Sequence, residues 1–117
     1  MSTLAIQGSV VDLPSGTIHR SFDDRVPCSP DPSERVISLT SDAAFAVNLD
    51  GLTEVHVISL ESDRPVTVLL TSTAGTAQAL PVESTRIVSR AVPFTAISLV
   101  RVAGQATTVR LILGQSS

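Results

Sequence analysis

The chain has 117 residues, a length for one domain spanning 1–117, with 43% hydrophobic side chains, 16% charged ones and a mean hydropathy of +0.34. A net charge of −3, no lysine and only three aromatic residues (Phe22, Phe45 and Phe94) argue against the basic, base-stacking surface that nucleic acids require. No apolar run approaches the roughly 20 residues that span a bilayer, and Met1-Ser2-Thr3-Leu4 lacks the basic start of a secretory signal.

Taken in chain order, residues 3–13 predict a first strand, closed by a turn at Pro14-Ser15-Gly16. Residues 17–22 predict a second, short strand. The segment 23–33 reads as the longest irregular stretch, because Pro27, Pro30 and Pro32 each lack a backbone donor for a ladder. Pro-rich loops of that length in a compact domain are often binding surfaces or seams.

Strands are then expected at 34–40 and 43–49. Asp50-Gly51 is the strongest turn signal, since both residues tolerate positive φ, and it predicts a hairpin pairing 43–49 with 52–60. Residues 65–72 and 76–80 are expected to join through Ala74-Gly75. Strands at 84–90, 94–102 and 107–113 follow, the last two forming a hairpin around Ala103-Gly104-Gln105. No segment carries a helical period, and the runs TEVHVISL, PVTVLLTS, FTAISLVRV and TTVRLILG are rich in β-branched residues that favour sheets. Between Val57 and Ile58 the apolar alternation changes parity, which predicts a bulge or burial on both faces.

Eight to ten short strands at this spacing predict an all-β fold: a single-domain antiparallel β-sandwich, jelly-roll-like, with an immunoglobulin-like sandwich as the alternative. The low charge leaves outward strand faces of Ala, Thr, Val and Leu where a solitary sandwich would show polar ones. Association with other protein is therefore expected, and a homo-oligomer first of all.

Chemistry-bearing residues are few. His56 and Glu54 alternate and could build a weak cation site or proton relay, although such pairs are far more often solvated neighbours. His19, beside Arg20, suggests still less. Asp23, Asp24, Asp31 and Glu34 surround the Pro-rich stretch and could wrap a calcium ion, but they match no calcium-loop spacing, and Arg20, Arg25 and Arg35 balance them. Cys28 is the only thiol, so it forms no disulfide within the chain, and it has no resolving partner for redox work. Arg86 and Arg90, with Arg101 and Arg110 further on, could meet an acidic patch of a neighbouring subunit, or could simply keep the strands soluble. No G-x-S-x-G elbow, Gly-rich phosphate loop or Cys/His metal pattern is present, and without Trp or Tyr a sugar platform is weak. The expectation is no catalytic residue, no cofactor and no metal.

The segments ISLVRVAGQATTVRLILG (97–114) and SDRPVTVLLTSTAG (62–75) resemble the small β-sandwich structural proteins of tailed bacteriophages, which combine short β-branched strands with Thr, Ala and Gly turns. The resemblance extends loosely over 34–114. It implies a non-enzymatic virion component, such as a head decoration, neck, tail or fibre-attachment protein. It further implies docking to other virion proteins and residence in the virion, or in the host cytoplasm during assembly. The alternative is a ligand- or carbohydrate-binding module of the same fold.

Overall fold

A computed structural model describes residues 2–73, 75 and 77–116, with the backbone alone at 10, 19 and 88–92. The described residues form nine strands: β1 (Ser2–Val11), β2 (Ile18–Cys28), β3 (Ser33–Leu39), β4 (Phe45–Ala46), β5 (Val55–Ser62), β6 (Val66–Ser72), β7 (Ala77–Val82), β8 (Thr85–Arg101) and β9 (Thr107–Gly114). No helix occurs among the described residues, every strand pair is antiparallel, and the arrangement is sandwich-like.

The main sheet has the order β3-β9-β5-β8-β6-β7, with β4 pairing β8. Its two halves are joined by β8, a strand of 17 residues. The first part of β8 pairs with β5 (Ser59 opposite Ile87) and the second with β6 (Val68 opposite Leu99). The two strands expected from the sequence at 84–90 and 94–102 are thus one continuous strand. Pro93 stands where β8 changes neighbour, and its carbonyl accepts from Thr73 N at 3.1 Å. A proline at such a changeover removes no ladder bond that the strand needs.

One face of this folded sheet supplies the core. Ile37, Leu39, Val55, Ile58, Leu60, Val68, Leu70, Phe94, Ile97, Leu99, Val109, Leu111 and Leu113 are all buried within it. Alternate residues of β9 (Val109, Leu111, Leu113) point inward while Thr108 and Arg110 are exposed, the period-two pattern of a half-buried strand.

The parity change at Val57 has both expected causes. The register against β8 shifts between Val55 and Val57, and Val57, turned away from the main core, is still only 2% exposed. What covers it is the second sheet. Strands β1 and β2 form a separate two-stranded ribbon, with Leu4 opposite Val26 and Gly8 opposite Phe22. A radius of gyration of 15.1 Å exceeds the roughly 13.4 Å of a compact chain this long, as an added arm requires.

The ribbon corrects the reading of 23–33 as a Pro-rich loop. Residues 23–28 continue β2, with Pro27 opposite Thr3, and only 29–32 is irregular. Pro27 is tolerated because β2 has a neighbour on one side only, so half of its backbone donors need no ladder partner.

Two hairpin expectations also change. Asp50 and Gly51 do make the tight turn, with φ of 52° and 85° and Leu52 N donating to Leu49 O at 3.0 Å. However, β4 is two residues long and pairs with β8 rather than β5. Likewise Gln105 N donates to Val102 O at 3.0 Å, closing the turn at Gly104, yet β8 and β9 are not neighbours. Strand β9 instead lies between β3 and β5. Turn chemistry reverses the chain, but burial of each apolar face selects the neighbour. The β6–β7 hairpin is as expected, with Gly75 at φ 82° donating to Ser72 O; Ala74 lies outside the described residues.

Candidate functional site

The ribbon's base is tied to the sheet by main-chain and packing contacts. Cys28 bridges Ser116, and Ser29 N donates to Gln115 O at 3.1 Å. Gly114 sits under the crossing: a Cβ there would lie 2.6 Å from Leu4 Cδ1 and 3.1 Å from Cys28 Sγ. Beyond this point Leu4, Ala5, Ile6 and Gln7 face Val57, Ser59, Ile87 and Ile112 across an open cleft.

Residues directly opposite in an antiparallel pair share a face. The ribbon face bearing Leu4, Val26 and Cys28 therefore also carries Ile6, Gly8 and Phe22. Gly8 leaves room for the Phe22 ring, whose Cζ would be 2.5 Å from a Cβ built there. The far end is apolar and wet: Val11 is 41% exposed, Ile18 62% and Leu13 81%.

The main sheet's two outward faces differ in kind. On the half formed by β3, β9, β5 and the start of β8, the row Val36, Arg110, Glu61, Thr85 runs across four strands, and Glu34 lies beside it. On the other half, β6 presents Thr67, Leu69 and Thr71, opposite Pro81, Ala79 and Ala77 of β7. Strand β8 adds Val100, Ser98 and Ala96 in the same rows, and β4 adds Ala46 beside Ser98. That face carries no charge at any of these positions.

The residues singled out for chemistry are dispersed. His56 is half-buried, and its Nδ1 accepts from Ser116 N at 3.0 Å, so it fastens the segment after β9. Glu54 precedes β5, and its backbone N–H donates to Gln115 Oε1 at 3.1 Å. The side chains of His19 and Arg90 lie outside the described residues. Asp23 pairs with Arg25 at 3.4 Å on the exposed ribbon, Asp31 accepts from Ser2 Oγ at 3.0 Å, and Glu34 lies on β3. Asp24 is spread along the ribbon with Asp23, opposite Ile6. Among the described residues no three His, Cys, Asp or Glu groups could together hold a metal ion. Cys28 is fully buried, its thiol donating to Val26 O at 3.4 Å. Burial withdraws it from an intermolecular disulfide, which needs an accessible sulfur.

Of the arginines, Arg86 donates to Pro81 O at 3.3 Å, across the two halves of the sandwich. Arg101 is held internally by Asp42, and Arg110 stays outward on β9. Asp42 also accepts from Gly104 N at 3.0 Å, and that bond, the largest influence, holds its carboxyl below the ordinary value against desolvation, with the Arg101 charge and hydrogen bond adding lesser pulls in the same direction. A further polar knot joins β3 to the 50–51 turn: Asp50 Oδ2 accepts from Ser33 Oγ at 2.7 Å and pairs with Arg35. Sequence reasoning missed Asp42, Gln115 and the Asp50 knot, whose partners are far apart along the chain. The ribbon did leave a signal, the two expected strands at 3–13 and 17–22 around Pro14-Ser15-Gly16, but the prolines after Asp23 masked the continuation of β2 to Cys28.

Comparison with protein-family models, with curated proteins and with solved structures yields no match.

Proposed function

We propose that the chain is a non-enzymatic structural subunit that packs in a symmetric assembly, and that the assembly is the particle of a tailed bacteriophage. The observation that carries the first part is the arm. A two-stranded ribbon is marginal on its own in water, and this one exposes Val11, Leu13 and Ile18 at its end. Apolar side chains held out on a projection gain by insertion into another protein, at roughly 25 cal/mol per Å² of area removed from water. The charge-free outer face of β6, β7 and β8 supports the same reading. The virion setting is supported by the resemblance of the segments 62–75 and 97–114 to phage structural proteins, and docking to other virion proteins belongs with it.

The test has two arms. Light scattering on the purified chain and on a Leu13→Asp, Ile18→Asp double variant should give a multimer for the first and a smaller species for the second, with unchanged thermal melting. A strict monomer that binds a sugar or other small molecule by calorimetry would overturn the reading in favour of a binding module. Mass spectrometry of phage particles purified from the source should find the chain at a fixed multiple of the major capsid protein. Its absence from such particles would overturn the virion setting.

A further inference from the structure

We infer that the outer face of β6, β7 and the second part of β8 packs against the same face of a second copy across a two-fold axis passing near Leu69. The inference rests on the assembly reading and specifies which surface and which occupant serve it.

A surface that meets itself about a two-fold axis brings every group near that axis against its own copy. Charges there would face charges of the same sign, which is costly when water is excluded. The outer face with Leu69 at its centre avoids this: its central row is Ala46, Ser98, Leu69 and Ala79, and the rows beside it are equally uncharged. The opposite outer face, with Glu34, Glu61 and Arg110, does not have that property. Small side chains also let two sheets approach to the usual spacing of about 10 Å. Leu69, 37% exposed, is the one large apolar group in the central row, and a second copy would cover it.

The size of the patch sets the strength. Strand β6 has seven residues, about 23 Å at roughly 3.3 Å each, and four strands span about 19 Å. Two copies thus cover roughly 900 Å² in plan, below the roughly 1,200 Å² at which stable interfaces begin and within the range of weak, transient ones. The contact is therefore a weak and reversible one.

The test is sedimentation equilibrium of the full chain over a wide concentration range. Leu69→Asp should raise the dissociation constant at least about a hundredfold, because it sets two like charges together near the axis. Ala79→Glu, at an exposed position of the edge strand β7, should weaken association in the same direction and guards against a folding defect in the first variant. Thermal melts monitored by circular dichroism confirm that each variant is folded. Val36→Asp, on the opposite face, should leave the constant unchanged. Mixing Leu69→Asp with Leu69→Lys copies should restore dimers, a result that only self-facing of position 69 produces. A wild-type multimer indifferent to Leu69→Asp and Ala79→Glu would overturn this interface and leave the assembly reading standing. A wild-type chain monomeric at every concentration would overturn both.

Discussion

Asp42 and Arg101, 59 residues apart, meet through two contacts of 2.9 Å, from Nε and Nη2 of the arginine to one carboxylate oxygen. The same oxygen accepts from Gly104 N at 3.0 Å, so one carboxylate ties the loop before β4 to the turn after β8. The hydrogen bond from Gly104, with Arg101 adding to it, lowers the Asp42 pKa from 3.8. A depressed carboxyl pKa favours the folded state above the unfolded value, and that contribution is lost as pH falls through the folded value. Asp42→Asn should therefore melt at a lower temperature than the wild type near neutral pH. The gap should close as pH drops below 3.8, which thermal melts across a pH series will read directly. A gap that persists undiminished in acid would exclude an ionic role for Asp42.

At Gly114 the constraint is space. An added methyl group meets Leu4 Cδ1 and Cys28 Sγ, and the leucine end can turn aside while the buried sulfur cannot. Gly114→Ala should cost about 1–3 kcal/mol, the range for overpacking a tight contact. Because the strain falls where the arm crosses the sheet, limited proteolysis should show faster cleavage in β1 or β2 than in the main sheet.

Phe94 is buried to 1% and occupies the changeover on β8, opposite both Val55 of β5 and Ser72 of β6. Its removal opens the core at the seam between the two halves. Phe94→Ala should destabilise by about 3–5 kcal/mol, measured by urea unfolding. Phe94→Leu, which keeps most of the volume, should cost less.

Asp50 has two duties, a left-handed backbone with φ of 52° and the polar knot with Ser33 and Arg35. Asparagine accepts that backbone but loses the charge, so Asp50→Asn should cost about 1 kcal/mol, as for a half-exposed ion pair. Asp50→Val should cost more, since a β-branched residue is strained at positive φ. Equal losses in the two variants would mean that the backbone conformation contributes nothing.

The strand content of the chain was legible from local pattern because alternation and β-branching report on each segment by itself. Residues 34–40, 65–72 and 107–113 match β3, β6 and β9 to within a residue at each end. Pairing was less legible. The Asp50-Gly51 and Gly104 turns are real, yet the strands flanking them go to distant neighbours, and nothing local in the sequence specifies which sheet edge will bury a given face. The two strands of the arm are legible at 3–13 and 17–22, but the length of the second is not, for a different reason. Prolines in 23–33 forbid a central strand, but β2 has one open edge, and an edge strand accommodates Pro27. The expected lack of polar outer faces was a statement about the whole chain, whereas the charges prove to be sorted, with Glu34, Glu61 and Arg110 on one side and none among the outward positions of β6 and β7.

Strand β9 is inserted between β3 and β5, although it follows both in the chain by more than forty residues. A growing polypeptide therefore has to hold those two strands apart, with their inner edges bare, until the segment that fills the gap has left the ribosome. Chaperone occupancy, or the pull of a translational arrest reporter, should fall sharply only after Gly114 has cleared the exit tunnel.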